Sequence, residues 1–400
     1  MNRHALTLAL LLSLPPPLMA DGGIDLQQAL QHLLQQAPEQ ALVEARQAEA
    51  RAAQAQAEGL LAAPPSLTLG AQGGREDGGF GEYREWSAGV ELPLWRPGQT
   101  DAHAQLATSI DGQAREDLRL LQLELAGQLR EAAWQVALAE ASAASLQGAS
   151  IDARRALERL KRLVALGERP RADLITLEGE ILDLDLQLEA ARAEQRQALA
   201  AWRLISRQDT PPALPLEPLA ADRPIEDHPQ WAQARLALDR ASAERRTGTL
   251  AAKGTPTLGM QARHEEPPGS PALDAVTLNL NLPLPWERHR QSAESTLRYT
   301  ETEAAVRLTR LERELQLQRQ QAALGLEASR RQADMAEKRA LAARDELRLA
   351  GLRLDEGEMD TIDYVSVMRR TFDAERAARL GALEAGRWIA RHNQAQGVLP

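Results

Sequence analysis

The sequence predicts a mainly α-helical protein with a small β part, assembled from two copies of one strand–strand–helix–helix unit, and three observations carry that reading. Landmarks recur in order: Leu69-Gly70-Ala71-Gln72, Leu92-Pro93-Leu94, Trp95, Gly167 and Asp173 are answered by Leu258-Gly259-Met260-Gln261, Leu282-Pro283-Leu284, Trp286, Gly357 and Asp363. Pro283 follows Pro93, and Gly357 follows Gly167, by the same 190 residues, so the register survives a long intervening segment. Such a repeat sets the fold, because each unit buries its apolar surface against its neighbour. Composition gives the second observation. Aromatics make up only 3%, with two Phe, while Ala, Leu, Gln, Glu and Arg dominate, as in long packed helices. The third is strict alternation of apolar and polar residues in four short segments.

The N-terminus reads as a secretory signal over residues 1–20. Arg3 and His4 precede the apolar run Ala5–Leu14, and Pro15-Pro16-Pro17 break it before cleavage after Ala20, a run too short to span a bilayer. Without Arg3, 46 basic residues face 57 acidic ones, a net charge of −11. With no basic stripe, that balance argues against a nucleic-acid partner. The chain has no cysteine, which excludes disulfides, thiolate chemistry and lipid attachment at a mature N-terminal cysteine.

The first repeat is placed at 21–210 and the second at 230–400, joined by a Pro-rich connector over 211–229. Helices are expected over 25–36 and 38–61, stopped by Pro64-Pro65. Strands follow at about 66–72 and 86–94, separated by a loop rich in glycine (Gly73, Gly74, Gly78, Gly79, Gly81). In the second repeat the strands lie at about 257–263 and 276–284. The last alternates most cleanly: Val276, Leu278, Leu280, Leu282 and Leu284 against Thr277, Asn279, Asn281 and Pro283, a strong strand signal. The segments 97–166 and 287–356 hold no proline beyond Pro97, so each makes a helix of about 100 Å at 1.5 Å per residue. Leu118, Leu121, Leu125, Leu129, Ala133 and Val136, and in the second repeat Leu308, Leu311, Leu315 and Leu324, recur at coiled-coil spacing. Return helices are expected over 172–205 and 361–392, with hairpin tips near 167 and 357.

Alternating strands with one face of leucines and another of Asn, Gln and Thr suit a membrane barrel wall. Spanning strands must close their edges, and four are too few to do so alone, so this reading requires an oligomer. Trp95 and Trp286 then fall where an aromatic belt meets the interface. The alternative is a small soluble sandwich with the two tryptophans in its core.

With these features together, the chain resembles the TolC-type outer-membrane efflux channel family, over about 24–393. The carriers are the duplicated unit, the glycine turns with Asp173 and Asp363, the Leu-Pro-Leu strand endings and the closing segment Gly357-Glu358-Met359-Asp360-Thr361-Ile362-Asp363-Tyr364. The resemblance implies a homotrimer with four strands per chain in a twelve-stranded barrel, continued by a helical tunnel closed near the glycine turns. It also implies a passive duct in the outer membrane of a Gram-negative bacterium, contacting outer-membrane lipid. An inner-membrane pump of the resistance-nodulation-division type would drive it through a periplasmic adaptor, or membrane fusion protein. Short outer loops lean toward the heavy-metal branch.

Candidate gate residues are Asp360, Asp363, Glu356, Glu358 and Asp173, because threefold symmetry gathers their carboxylates and such rings favour cations. The resemblance puts one gate aspartate on Asp363. The second position holds Ser366, and the latching arginine falls on Met359. The alternative role for Asp173 and Asp363 is to cap helix N-termini. At the tips, Gly167 and Gly357 supply positive φ for the reversal, and Leu166, Leu174, Leu354 and Tyr364 are candidate adaptor contacts. No catalytic set, cofactor site or metal site is expected: the seven histidines are scattered, and His264 beside Glu265 and Glu266 is the nearest approach to a ligand pair. A soluble periplasmic coiled-coil adaptor or scaffold is the rival reading, although an adaptor typically carries one hairpin where this chain has two.

Overall fold

Seven helices and four strands form because apolar periodicity and the placement of proline and glycine agree along the described chain. The computed structural model describes residues 25–75, 82–284 and 287–400; the expected signal segment, Gly78, Gly79, Gly81 and Trp286 lie outside the described residues. The order is α1 (Leu26–Gln36), α2 (Gln40–Ala57), β1 (Ser66–Arg75), β2 (Glu82–Pro93), α3 (Gln99–Ala165), α4 (Arg171–Ser206), a 3-10 turn (Ile225–Asp227), α5 (Pro229–Ala251), β3 (Thr257–Glu266), β4 (Leu273–Asn281), α6 (Glu287–Asp355) and α7 (Thr361–Ala395). Proline at the first position of α5 costs no hydrogen bond there. Among the described residues no helix is long and apolar enough to cross a membrane.

α3 with α4, and α6 with α7, form two long hairpins. α5 lies between α3 and α6, α2 lies along α3, and α7 crosses back onto α3. Leu30, Leu33, Leu125, Leu129, Val136 and Trp202 make one core. Leu146, Ala153, Leu160, Leu177, Leu184 and Met368 make a second, toward the tips. Small residues let large ones seat deeply. A Cβ on Gly386 of α7 would stand 2.5 Å from the Trp134 ring of α3, and one on Gly325 of α6 would collide with Trp388 of α7. Helix glycine costs about 1 kcal/mol against alanine; here it admits tryptophans worth more in buried surface.

The connector is pinned across the helices. Arg130 of α3, 3% exposed, donates twice to Glu217, at 2.7 and 2.6 Å. Asn393 of α7 donates to Glu217 and to the Pro218 carbonyl, and Arg319 of α6 donates to the carbonyls of Arg223 and Pro224. A buried ion pair needs such full hydrogen bonding to offset its desolvation.

The strands pair antiparallel in the order β1-β2-β3-β4, with Leu67 opposite Val90, Val90 opposite Met260 and Met260 opposite Leu278. Five strand ends differ from the sequence expectation. β1 runs on to Arg75 through Gly73 and Gly74, which the sequence places in the loop, and β4 begins at Leu273 rather than 276. β2 begins at Glu82 and β3 runs to Glu266, because charged residues continue the ladder beyond the apolar alternation. β4 stops at Asn281 rather than 284, since Pro283 lacks an N–H for the ladder. Where strands meet helices, Arg96 donates to the carbonyls of Gly254 (2.5 Å), Lys253 (2.7 Å) and Pro283 (3.0 Å). One guanidinium thereby joins three chain crossings. Gly254, at φ 79°, leaves room for the Pro283 ring 2.7 Å from where its Cβ would be.

Candidate functional site

The two helix reversals share one geometry. At the first, Gly167 (φ 77°) donates to the Val164 carbonyl at 3.1 Å and Glu168 to the Leu163 carbonyl at 3.0 Å. At the second, Gly357 (φ 76°) donates to Leu354 at 3.2 Å and Glu358 to Arg353 at 2.9 Å. Both are Schellman turns, in which a left-handed glycine satisfies the last helix carbonyls. A β-branched or bulky residue cannot take that φ without strain.

The tips touch each other within the chain. Arg169, just past the first turn, donates to the carbonyls of Leu354 (2.8 Å) and Met359 (2.9 Å) at the second. A cation on the carbonyl end of α6 also meets its negative pole. Thr361, 1% exposed, donates to Asp173 at 2.5 Å. Arg159 pairs with Asp355 at 3.5 Å, and Arg369 of α7 pairs with Glu180 of α4. Burial pushes the Tyr364 phenol above its ordinary value.

The sequence-chosen residues divide among these positions. Asp173 and Asp363 lie in the first turns of α4 and α7, but the N-cap positions are Pro170 and Asp360, and neither cap makes a side-chain bond. Asp173 accepts across the hairpins instead. Glu356, Glu358, Asp360 and Asp363 are exposed at the second tip. Leu166 is 72% exposed, whereas Leu354 is 5% exposed and therefore supports the turn from inside. Leu174 and Tyr364 pack partly buried against the second core. Among the described residues no three His, Asp or Glu side chains are grouped to hold a metal ion. Arg169 is not among the residues that the sequence singles out. Its counterpart 190 residues on is Met359, and an arginine directly after a Gly-Glu turn was the available signal.

The sheet presents two unlike faces. Leu67, Leu69, Val90, Met260, Val276, Leu278 and Leu280 share one face and are exposed, Leu278 by 71%. Thr68, Gln72, Ser87, Glu91, Gln261, Thr277 and Asn279 share the other. Gly70 and Gly259 on that polar face leave room for Ser87 and Asn279, which a Cβ would meet. Among the described residues both outer strands, β1 and β4, have a free edge. At the rim far from the helices, Trp86 is 60% exposed beside His264, whose Nδ1 lies 2.6 Å from Asp274. Trp95, the expected belt residue, is half-buried at the helix end, and its indole N–H donates to the Gly59 carbonyl at 2.7 Å. It braces the junction, while Trp86 occupies an exposed rim.

No protein-family model and no curated protein matches this sequence. Solved structures do. The outer membrane protein VceC of Vibrio cholerae aligns over 93% of this chain and 96% of its own, at 15% identity and a TM-score of 0.72. CusC, whose structures describe transmembrane channel formation, aligns over 96% of both chains at 15% identity and 0.71. The open state of the Neisseria gonorrhoeae outer membrane channel MtrE covers 93% of this chain and 89% of its own, at 18% identity and 0.69. At these identities the likeness is one of fold: mainly helical with a four-stranded antiparallel sheet, the chain adopts the fold of these outer-membrane channel proteins.

Proposed function

We propose that this chain is one subunit of a homotrimeric outer-membrane channel and serves as a passive exit duct in a tripartite efflux system. The observation that carries the reading is the sheet. Its leucine face is exposed, its opposite face is polar, and among the described residues its two edges have no partner. Water penalises that apolar face, and lipid penalises open edges; three copies closing β4 onto β1 relieve both, in a twelve-stranded barrel. The helical hairpins, related by an internal repeat, then continue the barrel as a tunnel that narrows at the tips. An inner-membrane pump delivers the cargo, metal cations or drugs, through a periplasmic adaptor that meets the exposed tips around Leu166, Gly167 and Gly357. The duct itself performs no chemistry.

At the tips, Arg169 and the Asp173–Thr361 bond hold the two hairpins of one chain together in the closed state. Asp360, Asp363, Glu356 and Glu358 line the constriction as threefold rings that attract cations. Fractionation and sizing test the reading: detergent-resistant trimers in the outer membrane are expected, and a soluble periplasmic monomer would replace it with the scaffold reading.

A further inference from the structure

The apolar surface does not stop at the end of the strands. Between α2 and β1 the chain makes a short turn in which Leu60 is 94% exposed, the most exposed large apolar side chain among the described residues. Two hydrogen bonds hold that turn. The Trp95 indole fixes the Gly59 carbonyl on one side of Leu60, and the Ala62 N–H donates to the Pro93 carbonyl at 3.0 Å on the other. Pro64-Pro65 then restrict the chain before β1. A leucine on a braced turn is an arranged feature, since a loose loop would fold it away from water. At the opposite edge of the sheet, and also at its helix end, Leu284 is 89% exposed just beyond β4.

We infer that the Leu60 turn is a lipid-inserting foot, which enters the interfacial layer of the periplasmic leaflet beside Leu284 of the neighbouring copy. The inference rests on the channel reading above, because only closure of β4 onto β1 brings the two leucines together. Its occupant is lipid on grounds of position: the Leu60 turn adjoins the helix end of β1 and β2, whose Leu67, Leu69 and Val90 are exposed, and Leu284 follows exposed Leu278, Leu280 and Leu282 at the helix end of β4, where an interfacial anchor belongs. The polar brace stays inside the protein, and the leucine is left to the acyl boundary.

The cysteine-free sequence allows a clean test. Single variants Leu60→Cys, Leu278→Cys and Leu42→Cys of the full chain, labelled with an environment-sensitive fluorophore, are reconstituted into vesicles carrying a quencher near the headgroup. Leu278 reports the sheet face, and Leu42, 72% exposed on α2, reports water. A blue-shifted label at 60, quenched about threefold more than at 42, is the expected result for an interfacial residue. A label at 60 that behaves like 42 while 278 is quenched overturns the foot and leaves the channel standing. A blue-shifted but unquenched label means that Leu60 packs against the neighbouring copy, which also overturns it. If 278 escapes quenching too, the channel reading fails and the foot fails with it.

Discussion

α3 and α6 are nearly equal in length, at 67 and 69 residues, and each leads into a return helix through the same glycine turn. Their surroundings differ. α3 packs against α1, α2, α4, α5 and α7, and buries Leu121, Leu125, Leu129, Trp134 and Val136. α6 packs mainly against α5 and α7, and leaves Tyr299, Val306, Leu317, Leu324, Met335 and Leu341 exposed. One helix is an interior beam, and the other is an edge. An apolar stripe exposed at helical spacing is penalised by water, and among the described residues α6 leaves such surface uncovered, as does the apolar face of the sheet.

The contrast can be broken by substitution. Trp134→Ala empties a site that is 1% exposed against Gly386 and should cost about 3–5 kcal/mol in a denaturant titration. A similar loss on truncating an exposed α6 leucine would erase the distinction between beam and edge.

A pH titration sharpens the contrast at the seam where α5, α6 and α7 meet. His228 is 2% exposed, accepts from the Gln230 N–H as the N-cap of α5, and packs under Gly397. Burial, with the Arg319 charge nearby, lowers its pKa from 6.5 to about 4. The unfolded chain therefore binds the proton between those values and the folded chain does not. Stability should be level above pH 6.5, fall by about 3 kcal/mol as pH drops toward 4, and level again below. His228→Asn, which keeps a capping acceptor, should flatten that segment of the profile.

At the tips, Arg169→Ala removes two charge-assisted bonds to the second turn and should cost about 1–3 kcal/mol locally. It should also raise the open fraction in single-channel recordings, and unchanged gating would remove Arg169 from the latch. On the edge, Leu324→Ala should change the stability of one chain by less than about 1 kcal/mol, while lowering the trimer fraction in sedimentation. Asp360→Asn with Asp363→Asn should be smallest in stability, within about 0.5 kcal/mol, and be seen instead as weaker block of the current by divalent cations. Currents with unaltered block would take both out of the constriction.

Much of the fold was legible in the residues. Proline-free apolar periodicity gave four long helices to within a few residues at nearly every end. Alternation gave all four strands, because side-chain direction in a strand has a period of two. The strand ends that differ lie where alternation runs into glycine or charge, at Gly73–Arg75, Glu82, Glu266 and Leu273-Asp274, or where Pro283 kept the pattern but lacked the hydrogen bond. The tips were legible as glycine turns, and their chemistry only partly so. Arg169 acts on backbone carbonyls 185 and 190 residues away, a contact with no side-chain partner to pair it with in sequence. Leu354 and Leu166 look alike as letters, yet one supports the turn from within and the other projects from it.

By itself, then, the sequence determined which segments are helix and strand, where they reverse and which strand face is apolar, since these depend on local geometry and side-chain period. The tertiary structure decided which of two similar long helices became interior and which became edge. It also decided that Arg96, Arg130 and Arg169 would fasten the junctions, the connector and the tips. Those outcomes depend on carbonyls and cavities that exist only once distant segments have packed together.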